Sequence, residues 1–340
     1  MNTNTKNYQS RLSKNCHQGL DGMNLEYVLS FEGAEHLSLP EESISNDNDR
    51  IIATLSCSGG KLSAYVNAVH YTKSDNLKPL SITDAIKLEL IKSEVIGFMQ
   101  EYLKKHLQEK YSDEYISNLV VKKLECNLTL PCVNGAVPSE VINLFEHALD
   151  KIVLHKQRKN KRTHDKISTS CYYVKSKEYC LKIYDKSQEQ REKGNLSVED
   201  NLLRIEMVFI GRSLKRMFQD KRTLSDILTK KSIVILCKEY KRIFERDLIE
   251  KYLKPYLNWC VKILCDSLEE SDKGREISET IARCKEHIPD MEVLKKALRL
   301  WYRRRNMEDR STKVIYYYRK KNIGIPDNVL RTVKRFHTSC

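Results

Sequence analysis

The chain carries 11 cysteines and 9 histidines in 340 residues, yet has no Cys-x-x-Cys and no Cys/His cluster at zinc-ligand spacing. That excludes a structural zinc site of the finger type. No run approaches the roughly 18 apolar residues that a membrane-spanning helix needs, so no membrane partner is expected. Met1 to Cys16 is polar almost throughout and lacks the apolar stretch of a secretory leader. With an odd number of irregularly spaced cysteines, the expectation is reduced thiols in a cytoplasmic protein. Internal repeats and low-complexity tracts are also absent.

What the chain does have is charge of one sign. Sixty Lys and Arg stand against 46 Asp and Glu, a net charge of +14, with 40% hydrophobic residues to form a core. Such a balance favours polyanion partners, nucleic acid first and acidic membrane surfaces second. The length allows two domains of ordinary size.

Along the chain, residues 1–50 read as a polar arm with one short strand at Leu25 to Phe31. Ile51 to Cys57 and Leu62 to Tyr71 form a hairpin around Ser58-Gly59-Gly60. An amphipathic helix runs from Ser81 or Thr83 to about Tyr111. Leu119 to Leu130 alternates, with Leu124, Cys126, Leu128 and Leu130 on one face and Lys123, Glu125, Asn127 and Thr129 on the other. Ser139 caps a helix to about His155. Ser168 to Lys175 and Tyr179 to Tyr184 make a second hairpin, and Asn201 to Phe209 is a further strand. Beyond Phe218 the pattern turns helical, with a kink or break expected at Pro255. Further helices fall near 275–287, 290–304, 311–322 and 326–336. The fold class is therefore α+β: a largely antiparallel sheet with flanking helices, then an all-helical C-terminal domain. The domains are 1–50, 51–220 and 221–340.

Two strands matter most. In Cys180 to Tyr184, Lys182 and Tyr184 face away from Leu181 and Ile183. In Leu202 to Phe209, Arg204 and Glu206 face away from Leu203, Ile205 and Met207. Paired in one sheet, they put a tyrosine, a lysine, an arginine and a carboxylate on one polar face. Tyr184 reads as an ordinary exposed sheet tyrosine, or as a nucleophile toward a phosphodiester if a cation lowers its barrier. Glu125 and Glu206 read as solvated strand glutamates, or as ligands of a hard divalent cation, which takes one or two carboxylates plus substrate phosphates. Arg204 meets a phosphate or pairs with Glu206.

Two basic segments are candidate DNA contacts or solvated faces. His155 to Lys166 holds six Lys/Arg, among them Arg158, Lys159, Lys161 and Arg162, against one Asp. Residues 299–335 hold twelve, including Arg303, Arg304, Arg305, Arg319, Lys320 and Lys321, against three acids, with Tyr316, Tyr317 and Tyr318 interleaved. Basic residues neutralise phosphates and aromatics stack on unpaired bases. A helix capped by Ser311-Thr312, a turn at Gly324 and a helix after Pro326 fit helix-turn-helix docking.

Taken together, Ser58-Gly-Gly-Lys61 with Asn67, Lys123-Leu-Glu125-Cys-Asn, Leu181-Lys-Ile-Tyr184-Asp-Lys186 with Glu189, and Leu203-Arg-Ile-Glu206 occur in the order of blocks in the gene II/gene X family. The chain resembles these filamentous-phage and plasmid rolling-circle replication initiators over about residues 50–335. Leu298-Arg-Leu-Trp301, Tyr316-Tyr-Tyr-Arg319 and Gly324-Ile-Pro326 resemble the family's tail. The resemblance implies an endonuclease that nicks one strand of a double-stranded origin, with Tyr184 retaining the 5′ phosphate and a 3′ hydroxyl freed as primer. It implies Mg²⁺ (or Mn²⁺) at Glu125 and Glu206, Lys186 acting on the phosphate, and Lys61 and Asn67 among the DNA contacts. The implied partners are double- and single-stranded origin DNA, and host replication proteins. The chain departs from the family in its polar opening, in Gly59 and Tyr65 at block positions, and in Glu125 where an aspartate is usual. No His-hydrophobic-His motif is present. A mobilisation relaxase, another plasmid initiator, or a non-enzymatic origin-binding regulator would share the basic surfaces.

Overall fold

Strand β5, Val120–Pro131, is buried at every position from Leu124 to Leu130, on both faces. A strand with that profile belongs in the middle of a sheet covered on each side. The computed structural model describes residues 17–68, 85–107, 116, 118–156, 163–168, 171–175, 178–194, 201–271, 277–320 and 324–339. It places β5 at the centre of a nine-stranded sheet ordered β2-β3-β4-β1-β5-β9-β8-β7-β6. All its pairings are antiparallel. The strands are β1 (His17–Val28), β2 (Ser38–Ser45), β3 (Ile51–Ser58), β4 (Lys61–Asn67), β6 (Thr163–Ser168), β7 (Cys171–Lys175), β8 (Tyr179–Asp185) and β9 (Leu202–Ile210).

The helices, numbered in chain order, begin with α1 (Ala85–His106), α2 (Pro138–Lys156), α3 (Lys186–Glu192), α4 (Gly211–Phe218) and α5 (Leu224–Ile227). They continue with α6 (Lys230–Ile243), α7 (Lys254–Ser271), α8 (Ile277–Arg283), α9 (Met291–Arg304), α10 (Glu308–Lys320) and α11 (Val329–Ser339). The fold is α+β, as the alternation and the later helical texture imply.

The N-terminal segment differs from its expected role. In place of an arm with one short strand, residues 17–45 supply β1 and β2. β1 lies between β4 and β5, beside the centre of the sheet. Its alternation is hidden by a bulge. Leu20 pairs with Cys126 and Gly22 with Glu125, so Asp21 is an extra residue. One inserted residue reverses which positions face the core, so Leu20 and Met23 are both buried although their spacing is odd. The β3–β4 hairpin is as expected, its Gly59 and Gly60 at φ of 57° and 68° as a primed two-residue turn requires.

The apolar face carries Leu124, Leu128, Leu181, Ile183, Leu203, Ile205 and Met207, all fully buried. α2 and the long helical stretch 230–271 pack there. Phe145 meets Phe244 edge-on with ring centroids 6.3 Å apart, and Tyr240 Oη donates to the Ile205 carbonyl at 2.9 Å. One hydrophobic cluster runs from the sheet through to Phe336. Pro255 does not break this stretch. Phe244–Leu253 is wound as a π-helix, with Lys254 N–H donating to Ile249 O, and α7 follows directly. The wider winding accommodates a proline whose ring would collide with an α-helical turn.

Candidate functional site

The polar face of the sheet is laid out in rows. Thr129, Arg204 and Tyr184 are directly opposite one another across β5, β9 and β8; Asn127, Glu206 and Lys182 form the next row. Asn67, Gly22 and Glu125 form a third, across β4, β1 and β5. The tyrosine, lysine, arginine and carboxylate expected to share a face do share it. Glu125 and Glu206 are diagonal neighbours on adjacent strands, about 7–8 Å apart along the backbone and within convergent reach of their side chains.

Tyr184, the penultimate residue of β8, has its hydroxyl donating to Glu206 Oε2 at 3.4 Å. Burial pushes its phenol well above the ordinary value of 10; the Arg204 guanidinium opposes this and Glu206 adds to it. Arg204 is 1% exposed. It donates through Nε to Thr129 Oγ1 at 2.8 Å and through Nη1 to Asp21 Oδ2 at 3.4 Å. Burial disfavours its charge, but Tyr184 and Asp21 outweigh that and hold its pKa up. Arg204 is thus an internal strut beside the tyrosine rather than an exposed phosphate contact. Glu206 accepts from Lys182 at 2.5 Å. Burial raises the pKa of Glu206 despite that lysine.

Lys186 follows on α3. The helix is started by Asp185, whose carboxylate accepts from Gln188 N at 2.9 Å, and is tied to β9 by Leu202 N donating to Ser187 Oγ at 2.8 Å. Asp185 is thus a capping residue and not a member of the polar cluster. The Lys186 ammonium pairs with Glu189 and lies 5.9 Å from the centre of the Tyr184 ring. Burial and Arg204 push its pKa down to about 8. Against its own burial penalty, Lys186 and Lys193 hold Glu189 down to about 2.

Three residues not singled out from the sequence join the cluster. Asp21 reaches it because the bulge turns its side chain toward Arg204. Tyr65 extends from β4 across β1, its hydroxyl donating to Glu125 Oε2 at 3.4 Å. It passes over Gly22, where a Cβ would sit 2.8 Å from the Tyr65 oxygen and 3.1 Å from Glu125 Oε2. Asn127 is fully buried, and neither atom of its side-chain amide has a hydrogen-bond partner among the described residues. Asn127 was marked by the polar alternation of β5 and its place in the Lys123-Leu-Glu125-Cys-Asn block, Tyr65 only as a departure from the first block, and nothing local marks Asp21.

As for a metal, no group of three or more His, Cys, Asp or Glu among the described residues is placed to hold one. Glu125 pairs with Lys123, and Glu206 with Lys182. The oxygen donors still fit Mg²⁺ in kind. Two carboxylates flank an unpartnered buried amide, and Mg²⁺ draws its other ligands from water and substrate phosphate.

The expected DNA contacts scatter. Asn67 borders the cluster, opposite Gly22, whereas Lys61 is at the other end of β4, about 20 Å along the strand. Arg158, Lys159, Lys161, Arg162 and Lys321 lie outside the described residues. Arg303 pairs with Glu308, Arg304 with Glu269 and Arg319 with Asp327. Arg305 stacks 4.3 Å above the Trp301 ring. Lys320 is exposed. The tail is folded back onto the loop after β5: Val133 N donates to Thr332 Oγ1 at 3.0 Å and Arg335 to the Pro131 carbonyl at 3.0 Å.

No protein-family model matches the chain, and no curated protein does. Among solved structures, one match is a rolling circle replication initiator protein from Geobacillus stearothermophilus, at 9% identity and a TM-score of 0.26, covering 57% of this chain and 74% of that one. A TM-score that low carries no argument. Among the described residues, no helix is long and apolar enough to cross a membrane.

Proposed function

We propose that the protein is a rolling-circle replication initiator that nicks one strand of a double-stranded DNA origin by tyrosine transesterification. The observation that carries this reading is the Tyr184 hydroxyl, bonded to Glu206 at 3.4 Å, with a buried Arg204 directly opposite on the neighbouring strand. A phenol held above its ordinary pKa needs a base to take its proton and a cation to stabilise the phenolate. Glu206, with its own pKa raised, is the base, and Arg204 is the cation. Tyr184 Oη attacks phosphorus and the P–O3′ bond breaks. The 5′ phosphate stays on the tyrosine, and the departing 3′ oxygen takes up a proton. Lys186 lies beside the phenol ring, where its ammonium stabilises charge on the phosphate. Mg²⁺ (or Mn²⁺), when bound by Glu125, Glu206 and Asn127, would supply further stabilisation of phosphate charge.

The test is nicking of a supercoiled plasmid carrying the replicon's own origin, followed by peptide mapping of the trapped protein–DNA adduct. Tyr184→Phe abolishes both nick and adduct. Full cleavage by that variant sinks the proposal.

A further inference from the structure

The tail residues expected to bind DNA are largely satisfied within the protein, as the pairs of Arg303, Arg304 and Arg319 show. Uncompensated positive charge collects beside these pairs, partly on the same segment, in a cavity of about 570 Å³ between α7, α9 and α11. Six cations line it: Lys254 from α7; Lys295, Lys296, Arg299 and Arg303 from α9; and Lys334 from α11. Glu292 is the only lining acid. Lys254, Lys295 and Arg303 have carboxylate partners. Among the described residues, Lys296 is held only by the neutral Asn258 amide at 3.1 Å, and Arg299 and Lys334 make no ion pair.

Like charges gathered on facing helices repel one another, and a protein's own folding does not favour bringing them together. An anion laid between them removes that repulsion. Lys296 and Arg299 lie one turn apart on α9, and Arg303, paired with Glu308, continues the same face, so the row spans about 10 Å of helix axis. A DNA strand presents about three phosphates over that length. The floor is aliphatic, from Leu257, Val261, Val293 and Leu300, and suits sugar and base faces, while the rim suits phosphates.

We infer that this groove is a binding channel for the phosphodiester backbone of a DNA strand, distinct from the tyrosine site on the sheet. It extends the DNA reading given above and rests on it. Lys296, Arg299 and Lys334 are exposed, so replacing them leaves the core untouched.

The experiment measures binding of a fluorescein-labelled 30-nucleotide single strand, and of the corresponding duplex, between 50 and 200 mM salt. It uses the full chain carrying Tyr184→Phe, so that scission cannot intervene. Adding Lys296→Ala, Arg299→Ala and Lys334→Ala is expected to weaken binding at least tenfold at the lower salt. The slope of log affinity against log salt should fall by about 2 to 3, close to one for each lost phosphate contact. Arg319→Ala, whose guanidinium is already held by Asp327, changes neither. An unaltered affinity and slope in the triple variant overturns the groove and leaves the nuclease reading standing. Failure of the Tyr184→Phe parent to bind either probe overturns both. Unchanged DNA binding with lost binding of poly-glutamate assigns the groove to an acidic polypeptide, and also overturns it.

Discussion

Replacing Lys186 tests the electrostatic balance of the site quantitatively. The side chain is 1% exposed. Burial and Arg204 bring its pKa from 10.5 to about 8, against the pull of Glu189. At about 1.4 kcal/mol per tenfold change, that difference is about 3 kcal/mol. Below pH 8 the lysine is protonated in folded and unfolded chains alike, and the folded state bears the whole cost of the buried charge. Between pH 8 and 10.5 the unfolded chain keeps its proton while the folded chain releases it, so this group makes stability rise with pH. Lys186→Met has no such group. The stability of the wild type minus that of the variant, from urea unfolding, should therefore rise by about 3 kcal/mol across this window. Lys182→Met is the control. Burial lowers the Lys182 pKa, but Glu206 raises it more, so its contribution is constant there and is lost only above 10.5. A wild-type-minus-Lys186→Met difference that is flat or falls with pH refutes the assigned balance.

Two further substitutions probe surroundings that only the fold revealed. Asn127→Leu removes a buried amide with no partner, and should stabilise the protein without divalent cation by about 1 kcal/mol. It should also abolish any rise in Tm caused by Mg²⁺. A lower Tm of the variant in chelator contradicts the assignment. Gly22→Ala forces a Cβ to within 2.8 Å of the Tyr65 hydroxyl and should cost about 1–3 kcal/mol. Most of that loss should return in the Gly22→Ala/Tyr65→Phe double variant. An equal loss in both backgrounds means that the contact is not the cause.

Alternation made much of the site readable. Glu125, Asn127 and Thr129 were placed on one face of β5, and Lys182, Tyr184, Arg204 and Glu206 on matching faces of β8 and β9, because a strand's side chains alternate whatever it pairs with. Asp21 escaped because a bulge changes the parity of a strand only through its pairing with a neighbour. Leu20 before that residue and Met23 and Leu25 after it are all buried, at an odd spacing across it. Pro255 marked an irregularity but not its kind, for a related reason: its effect depends on the winding of the turn before it, and that turn is π-wound.

The sequence by itself determined the fold class, the polar faces of the central strands and the excess of positive charge, all of which follow from local periodicity and composition. Tertiary structure alone decided which charges remain uncompensated. Arg204, Arg303, Arg304 and Arg319 look equally available in the sequence, yet one is buried and the others meet acids. It also decided register, which sets Tyr184 beside Glu206 and opposite Arg204 and lets Tyr65 reach Glu125 across a glycine. Coulomb interactions and steric clearance act over a few ångströms of space, and only folding fixes which distant residues fall within them.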